Sequence, residues 1–132
     1  MKVGMKKYLI DTNIMIAYFK QDIAIMEKFH TINDLYIPSI TIGELYLGAH
    51  LSLKVEKNIN NINNLLYQFK ILNVTQNTAQ NYGSIKATLR KTGKPIPEND
   101  IWIAAIAKEH DLIIATRDKH FLSLDFIQTE SW

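Results

Sequence analysis

The chain has 132 residues, 47% of them hydrophobic, no cysteine and a formal net charge of +2 at pH 7. That length implies one domain spanning residues 1–132 with enough apolar surface for a core. The composition excludes disulfides, thiolate metal sites and a cysteine nucleophile, and no apolar run approaches the roughly 18 residues of a membrane span.

The opening MKVGMKKYLIDTN places lysines before an apolar run too short for a secretory signal, so a soluble cytoplasmic protein is expected, starting at Met1 or Met5. Residues 6–10 (KKYLI) read as a short buried strand, and a helix follows from Asp11–Asn13 to about Lys20. A second helix runs to about Thr31, with Ile23, Met26, Phe29 and His30 at helical spacing. LYIPS gives a strand near residues 35–38, with Pro38 at its end. Ser39 or Thr41 is placed to cap the next helix, which contains Glu44.

Residues 54–69 repeat Val55, Ile59, Ile62, Leu66 and Phe69 on one helical face, opposite a solvated cluster of asparagines. FKILNV (69–74) reads as a strand, and Thr78 begins a helix to about Lys91. TGKPIPEN is a loop in which Asn99 is the expected cap for the helix DIWIAAIAKEH. DLIIAT is then a strand, DKHFLSL a short helix or turn, and DFIQT a last edge strand. Strands alternating with helices imply a parallel sheet with helices on both faces, a three-layer α/β fold.

Four acids stand at the points where such a fold turns toward a common crevice: Asp11, Glu44, Asp100 and Asp118. Ligands of open α/β sheets collect outside the carboxyl ends of the strands, where Asp11 and Asp118 fall. An aspartate there also serves as a helix cap, and Asp100 in a first helical turn also complements the helix dipole. Glu44 shares a stripe with Ile40, Leu47 and Leu51, a face expected to pack inward, where a glutamate is costly unless paired or metal-bound. Gly48, one turn on, leaves room for the close approach of another backbone. Four carboxylates in one pocket repel each other unless a cation holds them, which points to an oxygen-liganded magnesium or manganese site for phosphodiester cleavage.

Thr12, Asn13 and Thr116 accompany the acids and suit bracing roles, although the same residue types build turns. Lys86, Arg90, Lys91 and Lys94 cluster before Asp100, and Arg117 and Lys119 flank Asp118; Lys86, Arg90, Lys94 and Arg117 are the candidate contacts to a polyanionic substrate. Ordinary solvated helix surface explains the same charges. None of the four histidines shows metal-ligand spacing such as HExxH, but His120, beside Asp118, is a candidate for touching substrate. P-loop, GxGxxG and GxSxG motifs are absent.

The segments LIDTNIMIAYF, PSITIGELYLGA, GKPIPENDIWIAAIA and LIIATRDKHFLSL together resemble PIN-domain ribonucleases, specifically the VapC toxins of bacterial toxin–antitoxin systems. The resemblance covers the chain end to end. It implies that Asp11, Glu44, Asp100 and Asp118 hold one or two magnesium or manganese ions, braced by Thr12, Asn13 and Thr116. It further implies a homodimer, a small antitoxin whose C-terminal segment occupies the active-site groove, DNA contact only through that antitoxin, and cleavage of structured RNA such as transfer or ribosomal RNA loops.

Three alternatives compete. A receiver-type signalling domain expects an acidic pair near its first strand, and Asp11 has no acidic neighbour. A phosphatase of the haloacid dehalogenase type expects DxD, and Asn13 stands at the second acid's place. A PIN domain acting as a binding module within an antitoxin–DNA repressor complex remains compatible, although all four acids are intact.

Overall fold

In the computed structural model, which describes residues 5–132, β1 (Tyr8–Ile10), β2 (Leu35–Pro38), β3 (Lys70–Leu72), β4 (Ile113–Thr116) and β5 (Thr129–Ser131) form one sheet in the order β3-β2-β1-β4-β5. A start at Met1 lies outside the described residues. Every neighbouring pair is parallel, with Ile10 opposite Ala115 between the two central strands. Parallel neighbours need a crossover, and the chain supplies helices: α1 (Thr12–Phe19), α2 (Ile23–Thr31), α3 (Ser39–His50), α4 (Val55–Leu66), α5 (Gln76–Thr92) and α6 (Glu98–His110).

Side chains alternate across a strand, so the sheet builds two cores. Tyr8 and Ile10 join Ile14, Met15, Ile25, Leu45, Ala49, Ile62 and Leu65 from α1 to α4 on one face. Leu9 and Ile114 join Ile85 and Leu89 of α5, the buried run Ile103–Ala107 of α6 and Phe121 on the other. The expected arrangement of three layers with helices on both sheet faces is therefore present.

Several local expectations shift by a few residues. α3 begins at Ser39 directly after Pro38, with no side-chain cap, so neither Ser39 nor Thr41 caps it. α6 begins at Glu98: extended Pro97 is its N-cap, and the Pro97 carbonyl accepts from the Asp100 and Ile101 amides, so Asn99 lies inside the helix. α5 starts two residues before Thr78, because Thr75 and Thr78 form a reciprocal capping box. The last strand is Thr129–Ser131 rather than 125–129, since the chain is still turning at Asp125–Ile127, where the Ile127 amide bonds the Leu124 carbonyl.

The helical face chosen for Glu44 needs a larger correction. The buried residues of α3 are Thr41, Leu45 and Ala49, whereas Leu47 and Leu51 are 60% and 78% exposed. The helix is rotated so that Glu44 lies at the edge of the packed face, half-buried. A Cβ on Gly48 would meet open space, so no backbone approaches there.

Candidate active site

The strand order places the site. After β1 the chain builds outward through β2 and β3, then returns to lay β4 on the other side of β1. The crevice at such a reversal lies beyond the carboxyl ends of β1 and β4. Asp11 is the residue after β1, its amide bonded to the Ala115 carbonyl at 3.1 Å, and Thr116 ends β4.

Asp11 is 4% exposed, and both its oxygens are held. Oδ1 accepts from the Thr12 amide at 2.8 Å, so this residue is also the N-cap of α1. Oδ2 accepts from the Thr116 hydroxyl at 2.7 Å and from the Asn13 side-chain amide at 3.3 Å. Capping and a place in the acidic cluster are thus simultaneous properties of one residue. Burial, first of all, pushes the Asp11 carboxyl up from 3.8 to about 6; the bonds from Thr116 and Thr12 oppose the rise, and the charges of Asp100 and Asp118 add to it.

Asp118 follows through the same hydroxyl: its amide donates to Thr116 Oγ1 at 2.9 Å. Its own Oδ1 accepts from the His120 amide at 2.9 Å, a turn that swings the imidazole back over the carboxylates. His120 Nδ1 then lies 2.7 Å from Asp100 Oδ2 and 3.0 Å from Asp118 Oδ2. Asp100, in the first turn of α6, is raised by burial against the opposing influence of His120. Glu44 joins from the other side, accepting from the Thr12 hydroxyl at 2.9 Å. The hydroxyl of Thr12 also reaches buried Thr41, which ties α1 to α3.

Hydrogen bonds link the four expected acids unequally: Asp100 and Asp118 share with His120 donor atoms within 4.8 Å of one another, whereas Asp11 is tied to Asp118 through Thr116, and Glu44 is reached through Thr12. The Asn13 carbonyl oxygen additionally accepts from the Arg117 amide at 3.1 Å, which pins the segment between β4 and Asp118. His120 is a full member of the cluster rather than a residue near its rim. The signal available in the sequence was Asp-x-His, a spacing at which an aspartate accepts from the amide two residues on.

The expected RNA contacts divide. Lys86 pairs with Glu98 at 2.7 Å and lies against Tyr82, which stacks on Trp102. Arg90 and Lys94 are exposed. The Arg117 guanidinium is bound to Asp22 at 2.9 Å and to the Trp132 carbonyl at 2.6 Å, so it braces the fold instead of extending outward.

The donor set fits a hard divalent cation. Among the described residues, no Lys or Arg lies within 4.0 Å of a carboxylate oxygen of Asp11, Glu44, Asp100 or Asp118, and His120 is the one basic side chain that does. A buried carboxylate held at both oxygens by neutral donors, beside two further carboxylates, lacks positive charge that a cation would supply.

Comparison with known proteins identifies relatives of the whole chain. Residues 8–127 match the family model described as PIN domain. The chain is 39% identical to a ribonuclease VapC2 of Haemophilus influenzae over 131 residues, covering 97% of this chain and 99% of that protein. It is 31% identical to a tRNA(fMet)-specific endonuclease VapC of Shigella flexneri at the same coverages. Among solved structures, DNA-bound VapBC from Salmonella typhimurium superposes with a TM-score of 0.91 at 29% identity, covering 97% of this chain and 99% of that one.

Proposed function

The chain belongs to the PIN-domain family, and from that premise we propose that it is a VapC-type endoribonuclease, the toxin of a toxin–antitoxin pair, with one catalytic domain over residues 1–132 that works with magnesium or manganese. The observation that carries the reading is the convergence of Asp11, Asp100 and Asp118 at the carboxyl ends of β1 and β4 with no lysine or arginine among the described residues within 4.0 Å of their carboxylates. The names of the H. influenzae and S. flexneri relatives support the nuclease activity.

Asp11, Asp100, Asp118 and Glu44 would hold the ion. When bound, it supplies charge neutralisation for the scissile phosphate and activation of a water for in-line attack. The protein's own part is to keep that arrangement rigid before RNA arrives. Thr116 and Asn13 fix one oxygen of Asp11, the Thr12 amide fixes the other, and the Thr12 hydroxyl fixes Glu44. Such bracing spares the reaction the reorganisation cost of assembling four like charges. Lys86, Arg90 and Lys94 draw the polyanion toward the rim by long-range attraction. Fragments carry a 5′-phosphate and a 3′-hydroxyl, and the substrates are structured RNAs, transfer or ribosomal, cut in loops whose unstacked bases are open to recognition.

The active protein is a cytoplasmic homodimer neutralised by a small antitoxin. No helix among the described residues is long and apolar enough to cross a membrane. The DNA-bound VapBC relative supports a second role, in which this chain rides on DNA through its antitoxin without losing its nuclease site.

The test is digestion of total RNA by purified protein with magnesium or manganese, against EDTA and Asp100→Asn controls, with sequencing of fragment ends. Discrete 5′-phosphate ends that vanish in both controls are expected. Cleavage that persists in EDTA or in the variant overturns the assignment.

A further inference from the structure

We propose that His120 is itself a metal donor through Nδ1, so that the centre combines carboxylates with one imidazole and binds manganese in preference to magnesium. The proposal rests on the metal-dependent reading above and specifies which ion that site selects.

Three donor atoms, one each from Asp100, Asp118 and His120, lie within 4.8 Å of one another. The two edges that meet at His120 Nδ1 measure 2.7 and 3.0 Å, both to Oδ2 atoms. Neighbouring donors around an octahedral ion with bonds of about 2.1 Å stand about 3 Å apart, so each of the two distances at Nδ1 is close to one edge of such a shell. The imidazole is 47% exposed, but the backbone that carries it is anchored. Its backbone amide is bonded to Asp118 Oδ1 at 2.9 Å, its carbonyl accepts from the Ser123 hydroxyl at 3.3 Å, and the next residue, Phe121, is fully buried in the core. The turn thus delivers Nδ1 to the carboxylates with its backbone already ordered.

An imidazole among oxygen donors changes the chemistry of the site. Magnesium favours oxygen ligands and retains its waters, whereas the more thiophilic and nitrogen-tolerant ions gain from a nitrogen donor along the first-row series that begins with manganese. The geometry also fits an Nδ1–H that merely clamps the two carboxylates. His120→Asn separates the roles, because its side-chain amide can still donate to both carboxylates but supplies no imidazole nitrogen.

The decisive measurement is electron spin echo envelope modulation of Mn²⁺ bound to the purified full chain, accompanied by calorimetric titrations with Mn²⁺ and Mg²⁺ alone. Directly coordinated ¹⁴N modulation is expected in the wild type and is lost in His120→Asn. The ratio of manganese to magnesium affinity should fall at least ~10-fold in that variant. Bound Mn²⁺ without ¹⁴N modulation in the wild type, or modulation that survives in His120→Asn, overturns the proposal and leaves the metal-dependent nuclease reading standing. Failure of the wild type to bind either ion overturns both.

Discussion

Replacing Asp11 by asparagine should change how the metal-free protein's stability responds to pH, by an amount that follows from its burial. The carboxyl is raised from 3.8 to about 6 in the folded protein, chiefly because only 4% of the residue is exposed. A raised carboxyl binds its proton more tightly in the folded state, so its contribution to stability is fully present below about pH 3.8 and is lost as pH rises through about 6. The gap between those values corresponds to about 3 kcal/mol at neutral pH. Asp11→Asn resembles the protonated form at every pH, so its hydrogen-bond rearrangements against Thr116 and Asn13 are nearly constant and cancel in a difference between two pH values. Thermal or urea unfolding in EDTA, at pH 4 and pH 7.5, should therefore show the variant gaining about 2.4 kcal/mol on the wild type between the two conditions, since at pH 4 the unfolded carboxyl is already partly ionised. For a chain of this size that is a relative shift of about 10 °C in Tm. Asp22, Glu98 and Glu130, whose carboxyls are lowered, impose the opposite slope, but equally on both proteins. Parallel stability curves would refute the argument that Asp11 is ionised at a cost in the folded protein. Manganese at 100 times Kd should then add about 2.7 kcal/mol to the wild type at pH 7.5, enough to offset the variant's relative gain.

Further outcomes follow from single contacts. Thr116→Val removes the hydroxyl that serves Asp11 and Asp118 together, and should cost about 10–100-fold in metal affinity or RNA cleavage while the far-ultraviolet dichroism is unchanged. Phe121→Ala empties a fully buried position beneath the His120 turn and should cost about 3–5 kcal/mol in urea unfolding. Gly93→Ala places a side chain at φ 65°, where α5 ends in the left-handed region; an unfolding loss of about 1 kcal/mol is expected, with cleavage unaffected.

Much of the molecule is local information. Tyr8–Ile10 and Ile113–Thr116 are short apolar runs bounded by polar residues, and Pro38 ends its strand as a proline without an amide donor must. Asp11 and Asp118 stand out because each follows such a run, and Asp100 because it opens the apolar stretch of α6. Glu44 was reached by a helical stripe that the fold does not bury, and what ties it toward Asp11 is its contact with the Thr12 hydroxyl. The same limit applies to the start of α6: asparagine is a good cap, but the extended geometry of Pro97 already supplies the carbonyl that begins the helix.

Local sequence thus establishes the alternation of strands and helices and the absence of thiol chemistry, and it nominates the four carboxylates as candidates. Tertiary structure decided which atoms meet: Thr116 reaches Asp11 across 105 positions, Thr12 reaches Glu44 across 32, and His120 reaches Asp100 across 20. Periodicity and capping act within a few residues of one another. Those longer meetings depend on β4 returning to lie beside β1 and on the rotation of α3 about its own axis, both set by how the two cores pack on the sheet.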